Sequence, residues 1–299
     1  MNSGAKGTIG VVGLGIMGGA IARNLAAAGW RVVGYDPDPQ RMREAREGGV
    51  AVVDSAAAVA REAASILTSL PKPEALQATV QAIADAGPPR RTIAELSTFT
   101  IADKEAAEAT LRKAGHILLD CPLSGTGSQA KNKDLVIYAS GDSQAIQALS
   151  PVFADFGRAT HDLGAFGNGM KMKFVANLLV AIHNVASAEA MVLGMKAGLD
   201  PHQLYDLVRS GAGNSRVFEL RAGMMADNSY DGENVTMKVA IWQKDMKVIG
   251  DFAQSIGVPT PTFSATEAIY NAAMSTGHEG HDTAAVCAVL EAMAGVTRN

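Results

Sequence analysis

Cysteine is almost missing from this chain: Cys121 and Cys287 are the two thiols in 299 residues. Two cysteines cannot build a disulfide framework, and these lack metal-ligand spacing, so no metal is expected. Positive charge is also scarce, with 26 Lys and Arg against 30 Asp and Glu for a net charge of −4, and no long run gathers the cations. That argues against nucleic acid as a partner. Residues 1 to 7 are short and polar, without a secretory apolar core. No window reads as an uninterrupted apolar span of membrane-crossing length. No internal repeat stands out, although residues 51 to 65 are rich in alanine. What is present, 47% hydrophobic and 19% charged residues, describes an ordinary globular protein long enough for two domains. A cytoplasmic protein with no membrane partner is the expectation.

The first half alternates short β-rich runs with helical runs. Thr8-Ile9-Gly10-Val11-Val12 reads as a buried parallel strand. It leads into Gly13-Leu14-Gly15-Ile16-Met17-Gly18, then a helical pattern (Ile21, Leu25), then a second strand, Arg31 to Tyr35, ending at Asp36. The spacing has a physical meaning. Gly13 allows a tight turn, Gly15 lets backbone approach a pyrophosphate, and Gly18 lets the helix pack on the strand. The helix N-terminus offers free N–H groups and partial positive charge to the phosphates. Asp36, 23 residues after Gly13, stands where it can accept hydrogen bonds from an adenosine ribose. A glycine motif alone is weak, but strand, glycines, helix, second strand and acid agree on a dinucleotide. Asp36 favours NAD over NADP, since a carboxylate repels a 2′-phosphate. NADP stays open, because Asp36 could instead cap the helix after Pro37-Asp38-Pro39, and Arg41 or Arg43 could reach a phosphate.

Further units follow. A strand ending at Leu70-Pro71 and another, Thr92 to Leu96, ending at Ser97-Thr98, finish where a doubly wound sheet holds its ligand. Leu70 and Pro71 would line the cofactor crevice, and Ser97 and Thr98 would approach the nicotinamide; Thr98 could equally be an N-cap. After the strand His116 to Asp120 comes Cys121-Pro122-Leu123-Ser124-Gly125-Thr126-Gly127. Hydroxyl and glycine N–H groups there could make an anion nest for a carboxylate, or only a turn. Late strands are expected near 134–139 and 158–161, with a helix between them.

Everything is organised around Gly164 to Lys196. Gly164, Gly167 and Gly169 precede a helical run without proline or glycine until Gly194. Met170 to Lys196 would span about 40 Å, enough to tie two domains together. Lys173 and Asn177 lie one turn apart on one face of it. Lys171 is the competitor, but it falls on a different face. Beyond Lys196 amphipathic helices replace strands: 201–210, 215–225, 235–256, 261–275 and one near 283–294. Their methionines read as packing surface, and their apolar stripes suggest a subunit interface.

Taken together, Gly13–Gly18, Glu95-Leu96-Ser97-Thr98, Asp120 to Gly125, Gly164 through Asn177, and Lys244-Asp245 resemble the β-hydroxyacid dehydrogenase family, over nearly the whole chain. The resemblance implies an α/β Rossmann-type N-terminal domain (1–164) and an all-α C-terminal domain for substrate and oligomerisation (165–299), joined by a long interdomain helix. It implies Lys173 and Asn177 as the catalytic pair, and Ser124, Gly125 and Thr126 on the substrate carboxylate. It also implies that Lys244 completes the substrate pocket beside the cofactor, and that the protein is a homo-dimer or homo-tetramer. Thr126 departs from the family pattern, which has a second glycine there, and threonine resists positive φ.

The function expected is NAD-dependent oxidation of a small 3-hydroxy carboxylic acid. The cofactor carries the hydride chemistry, and a lysine removes the hydroxyl proton. Such a lysine must be partly neutral, which requires burial or neighbouring positive charge. The same chemistry run backwards, an NAD(P)H-dependent reductase of a small semialdehyde or glyoxylate, is the alternative. An alternative of another class is a non-catalytic dinucleotide-binding protein, against which Lys173, Asn177, Ser124 and Lys244 speak together.

Overall fold

The computed structural model describes residues 6–232 and 235–298, so most of the polar N-terminal stretch, residues 1 to 5, lies outside it. Two compact units divide the chain, Met1–Lys173 and Phe174–Asn299.

The first unit opens with β1 (Thr8–Val12), α1 (Ile16–Ala27), β2 (Arg31–Tyr35), α2 (Pro39–Glu47), β3 (Ala51–Val52) and α3 (Ala56–Glu62). It continues with β4 (Ser65–Thr68), α4 (Pro73–Asp85), β5 (Thr92–Glu95), α5 (Ile101–Lys113) and β6 (Ile117–Asp120). These six strands form one sheet in the order β3-β2-β1-β4-β5-β6, with every pairing parallel. That is the doubly wound arrangement, and its strand order reverses between β1 and β4. Successive strand residues face opposite ways. Val32, Leu67, Ala94 and Leu119 pack with Ile21 and Leu25 of α1. Their neighbours Val33, Ile66, Ile93 and Leu118 pack with Val59 of α3, Val80 and Ile83 of α4 and Leu111 of α5. Both faces are therefore covered, as the apolar, non-alternating strands require.

A smaller sheet follows. It comprises β7 (Leu123–Ser124), then after α6 (Gly127–Lys131) β8 (Val136–Ala139), and after α7 (Ser143–Ala154) β9 (Ala159–Asp162). β7 runs antiparallel and β9 parallel to β8.

The helix α8 (Asn168–Lys196) runs through the division between the units. The second unit adds α9 (Pro201–Arg209), α10 (Arg216–Asp227), α11 (Val239–Ser255), α12 (Pro261–Ser275), a 3-10 turn (Thr283–Ala285) and α13 (Val286–Ala294). Val239, Trp242, Met246 and Ile249 are the buried stripe of α11, at helical spacing, and Phe263 and Tyr270 are buried on α12. Asn184 of α8 donates to the Tyr270 hydroxyl (2.9 Å) and the Thr283 carbonyl (2.8 Å). Among the described residues this unit contains no strand, as expected.

The expectation of no membrane-length apolar span needs a correction at α8. Its 29 residues include an 18-residue window of mean hydropathy 1.6, enough by length and composition to cross a membrane. Of that window 44% is buried within the protein, and the core helix of a soluble protein passes the same test.

Candidate active site

The glycine turn after β1 has the geometry its spacing predicts. Gly13 sits at φ +89°, and a Cβ there would lie 2.1 Å from the Ser69 carbonyl oxygen. A Cβ on Gly18 would lie 1.9 Å from the Gly13 oxygen, so α1 reaches this close to the strand only without one. Gly15 differs. It is the N-cap of α1, makes no side-chain cap, and has nothing within 4 Å of where a Cβ would stand. Open space at a helix N-terminus without a side-chain cap, at the sheet's switch point, fits a dinucleotide pyrophosphate. Leu14, Ile16 and Met17 complete the turn, with Ile16 exposed.

Asp36 stands at the end of β2, where its Oδ2 accepts from the Leu14 N–H (2.7 Å) and its Oδ1 from the Asp38 N–H (2.9 Å). The helix cap is Asp38, which accepts from the Gln40 N–H at 2.8 Å. That removes the capping alternative for Asp36. Arg41 pairs with Glu44 at 3.0 Å on the same helix.

At the ends of β4 and β5, the Leu70 N–H donates to Ser97 Oγ at 2.8 Å. The two strand-end turns that carry Leu70, Pro71 and Thr98 are thereby tied together. Thr100, not Thr98, caps α5, accepting from the Asp103 N–H at 3.1 Å.

Ser124 ends β7, paired with Val136. The left-handed position in the next turn is Gly125 (φ +138°). Thr126 has φ −106°, extended backbone, so threonine costs no strain where the family pattern has glycine. Its N–H donates to Gln129 Oε1 at 3.1 Å.

α8 begins where Gly169 comes closest to the sheet: a Cβ there would meet the Tyr138 carbonyl at 2.3 Å. The Met170 N–H donates to Asp120 Oδ2 (2.8 Å) and the Gly169 N–H to Ser140 Oγ (2.9 Å). One turn on, Lys173 is buried, at 7% exposure, whereas Lys171 is exposed and reaches back to Asn168 Oδ1 at 3.1 Å. Asn177, 5% exposed, lies one turn beyond Lys173 on the same helix. Its Nδ2 donates to Oδ2 of the buried Asp245 at 2.8 Å. A carboxylate only accepts, so the bond fixes which end of the amide is which and leaves the carbonyl oxygen as an acceptor. Lys244, beside it on α11, has its Nζ 3.8 Å from Asp245 Oδ1.

Sequence reasoning quoted Lys244-Asp245 but gave Asp245 no role. It likewise missed Lys104, fully buried between Glu95 and Asp120. A charged residue on a helix otherwise reading as exposed carries no local signal of burial.

Other polar side chains of the second unit serve its local structure. Ser215 caps α10 through the Phe218 N–H (3.1 Å), Asn214 and Arg216 both bond Glu219 (2.7 and 2.8 Å), and Lys247 pairs with Asp251 (2.7 Å). Cys121 and Cys287 are buried, and burial pushes both thiols up, that of Cys287 to about 12. They are small hydrophobes.

Comparison with known proteins decides the family. A model described as the NAD binding domain of 6-phosphogluconate dehydrogenase matches residues 8–167. Another, described as NAD-binding of NADP-dependent 3-hydroxyisobutyrate dehydrogenase, matches residues 167–290. An L-threonate dehydrogenase from Cupriavidus necator is 30% identical, over 94% of this chain and 95% of its own length. The chain belongs to the β-hydroxyacid dehydrogenase family. It is thus an NAD(P)-dependent oxidoreductase acting on CH–OH groups. A probable 3-hydroxyisobutyrate dehydrogenase from Mycobacterium bovis is likewise 30% identical to this dehydrogenase, over 96% of this chain and 99% of its own. The solved Mycobacterium tuberculosis 3-hydroxyisobutyrate dehydrogenase with L-serine superposes with a TM-score of 0.84 at 29% identity, covering 95% of this chain and 98% of that one. The α/β unit with a helical C-terminal region is that of these enzymes.

Proposed function

We propose that the dehydrogenase oxidises a small 3-hydroxy carboxylic acid, with Lys173 taking the hydroxyl proton. The observation that carries this reading is the pair of buried side chains one turn apart on α8, one of them an amide aimed by Asp245. Gly13 to Gly18 would hold the pyrophosphate, Asp36 the adenosine ribose, and Leu70, Pro71, Thr98 and Lys244 the remaining cofactor. When bound, the oxidised nicotinamide accepts the hydride. Ser124, Gly125 and Thr126 hold the acid's carboxylate, and Lys244 completes the substrate pocket. The Asn177 carbonyl oxygen accepts an N–H of Lys173, turning the amine's lone pair toward the substrate hydroxyl. The C–H electron pair leaves as hydride while the hydroxyl proton passes to Lys173 Nζ, which leaves a carbonyl. Reduction of a semialdehyde uses the same groups in reverse, with Lys173 as acid.

Finer assignments belong to the same proposal. NAD is the preferred cofactor, because Asp36 fills the position a 2′-phosphate would approach. Residues 1–164 serve dinucleotide binding and 165–299 substrate binding and self-association. The protein is a cytoplasmic homo-dimer or homo-tetramer, a reading supported by exposed Val175, Leu179, Leu193 and Leu207.

The test is NADH formation from NAD with a panel of 3-hydroxy acids that includes 3-hydroxyisobutyrate and L-threonate. Lys173→Ala is run beside the parent. Removing a general base costs about 10²–10⁴-fold in turnover, while NADH binding, read by fluorescence, should persist. Parental turnover in the variant removes Lys173 from the mechanism. Binding without turnover across the panel in the parent would instead support a non-catalytic binder.

A further inference from the structure

The ends of β5 and β6 present Glu95 and Asp120 side by side, as direct partners in the parallel ladder. Both carboxylates are fully buried, and adjacent like charges there are costly. Lys104 reaches in from α5 between them, its Nζ 2.7 Å from Glu95 Oε2 and 2.6 Å from Asp120 Oδ1, with its side chain wholly enclosed. Burial pulls the ammonium's pKa down, but the two carboxylates outweigh it and hold the group above its ordinary value, so it stays charged. One cation between two anions leaves one negative charge. The N-terminus of α8, whose Met170 N–H meets Asp120, supplies the compensating positive pole.

The outer oxygens of the two carboxylates reach different places. Glu95 Oε1 accepts from the Ser97 N–H at 2.9 Å, and Ser97 Oγ in turn receives the Leu70 N–H of the β4 end. Asp120 Oδ2 accepts from Met170, three residues before Lys173. Through these two carboxylates Lys104 links the strand-end turns expected to face the cofactor with the first turn of the lysine-bearing helix. Stability alone does not call for such a group, since apolar residues commonly replace buried ion networks at no loss.

We propose that Lys104 is a positioning residue for hydride transfer, fixing the register of the α8 first turn against the Ser97 and Leu70 turns. This rests on the reading of Lys173 as the proton-transfer group. A shift of about 1 Å at reacting atoms costs about 10²-fold in rate, so loosening the bridge should appear in kcat before it appears in binding.

The experiment uses the full-length enzyme and whichever hydroxy acid in the panel the parent oxidises fastest, with Lys104→Met, Glu95→Gln and Lys173→Ala in parallel. Thermal midpoint, kcat and KM for NAD are measured on each, well below the melting temperature. Lys104→Met is expected to lose about 10²-fold in kcat, with KM for NAD within about threefold. Glu95→Gln keeps the shape and weakens the same bridge, and should lose about tenfold; it carries the test if Lys104→Met does not fold. Parental kcat in the folded variants, with only the melting temperature lowered, overturns the inference and leaves the Lys173 reading intact. Parental kcat in Lys173→Ala, or a parent that oxidises no acid, overturns both.

Discussion

Asn177 and Asp245 illustrate how a single amide is given a direction. A buried hydrogen bond to a charged group contributes about 1.5–3 kcal/mol. Asp245→Ala should therefore cost roughly tenfold to a hundredfold in kcat by freeing the amide to turn over, with the fold intact by circular dichroism. Unchanged kcat would mean that Asn177 is held by other groups. Lys171→Ala is the contrasting case. Its side chain is exposed and reaches only back to Asn168 Oδ1 on the same helix among the described residues, so turnover should stay within about twofold. The sequence alone separated the two lysines by helical phase, and burial sorts them the same way. Lys104 was hidden because ion pairs between different elements leave no local pattern: it sits on a helix and its partners end two separate strands.

At the scale of elements, the two glycines of the first turn separate packing from binding. A Cβ on Gly18 collides with the Gly13 carbonyl, whereas one on Gly15 meets nothing. Gly18→Ala should lower stability by about 2–3 kcal/mol in urea unfolding. Gly15→Ala should unfold within about 1 kcal/mol of the parent yet bind NADH markedly less well, by titration. Equal stability losses in the two would contradict this division. Most elements were legible because their signals are local. Asp200 followed by Pro201 predicts the start of α9, and Asp200 indeed accepts from the Gln203 N–H at 2.8 Å. The strands Ala51–Val52 and Leu123–Ser124 were missed because two residues carry no period. The expected start of α11 near 235 was early. Thr236 and Met237 instead give their N–H groups to Asp282 (2.8 and 3.0 Å), and the helix begins at Val239.

For the molecule as a whole, two histidines bear on how folding depends on pH just below neutrality. Burial, reinforced by Arg91, lowers the pKa of His116, and burial together with His281 lowers that of His278. Each stays neutral in the folded state at a pH where the unfolded chain takes up a proton. Stability is therefore full above the unfolded value near 6.5 and is lost as pH falls through it. The melting temperature should drop between pH 7.5 and 5.5. His116→Gln, whose amide oxygen can still accept the Arg91 N–H now received by His116 Nδ1, should shrink that drop. An undiminished drop would place the proton uptake elsewhere. The fold class and family were legible at this scale because several motifs occur in the right order. Which oxygen of Asp36 meets which backbone group was not, since that depends on how two loops meet.

That meeting carries a consequence for cofactor exchange. The carboxylate expected to select against a 2′-phosphate also holds the Leu14 and Asp38 amides, and so shapes the loop proposed to cradle the diphosphate. A residue swapped in to welcome the phosphate would withdraw both acceptors at once. Preference and affinity are mechanically joined here, and any route to the other nucleotide, by selection or by design, has to rebuild both loops together.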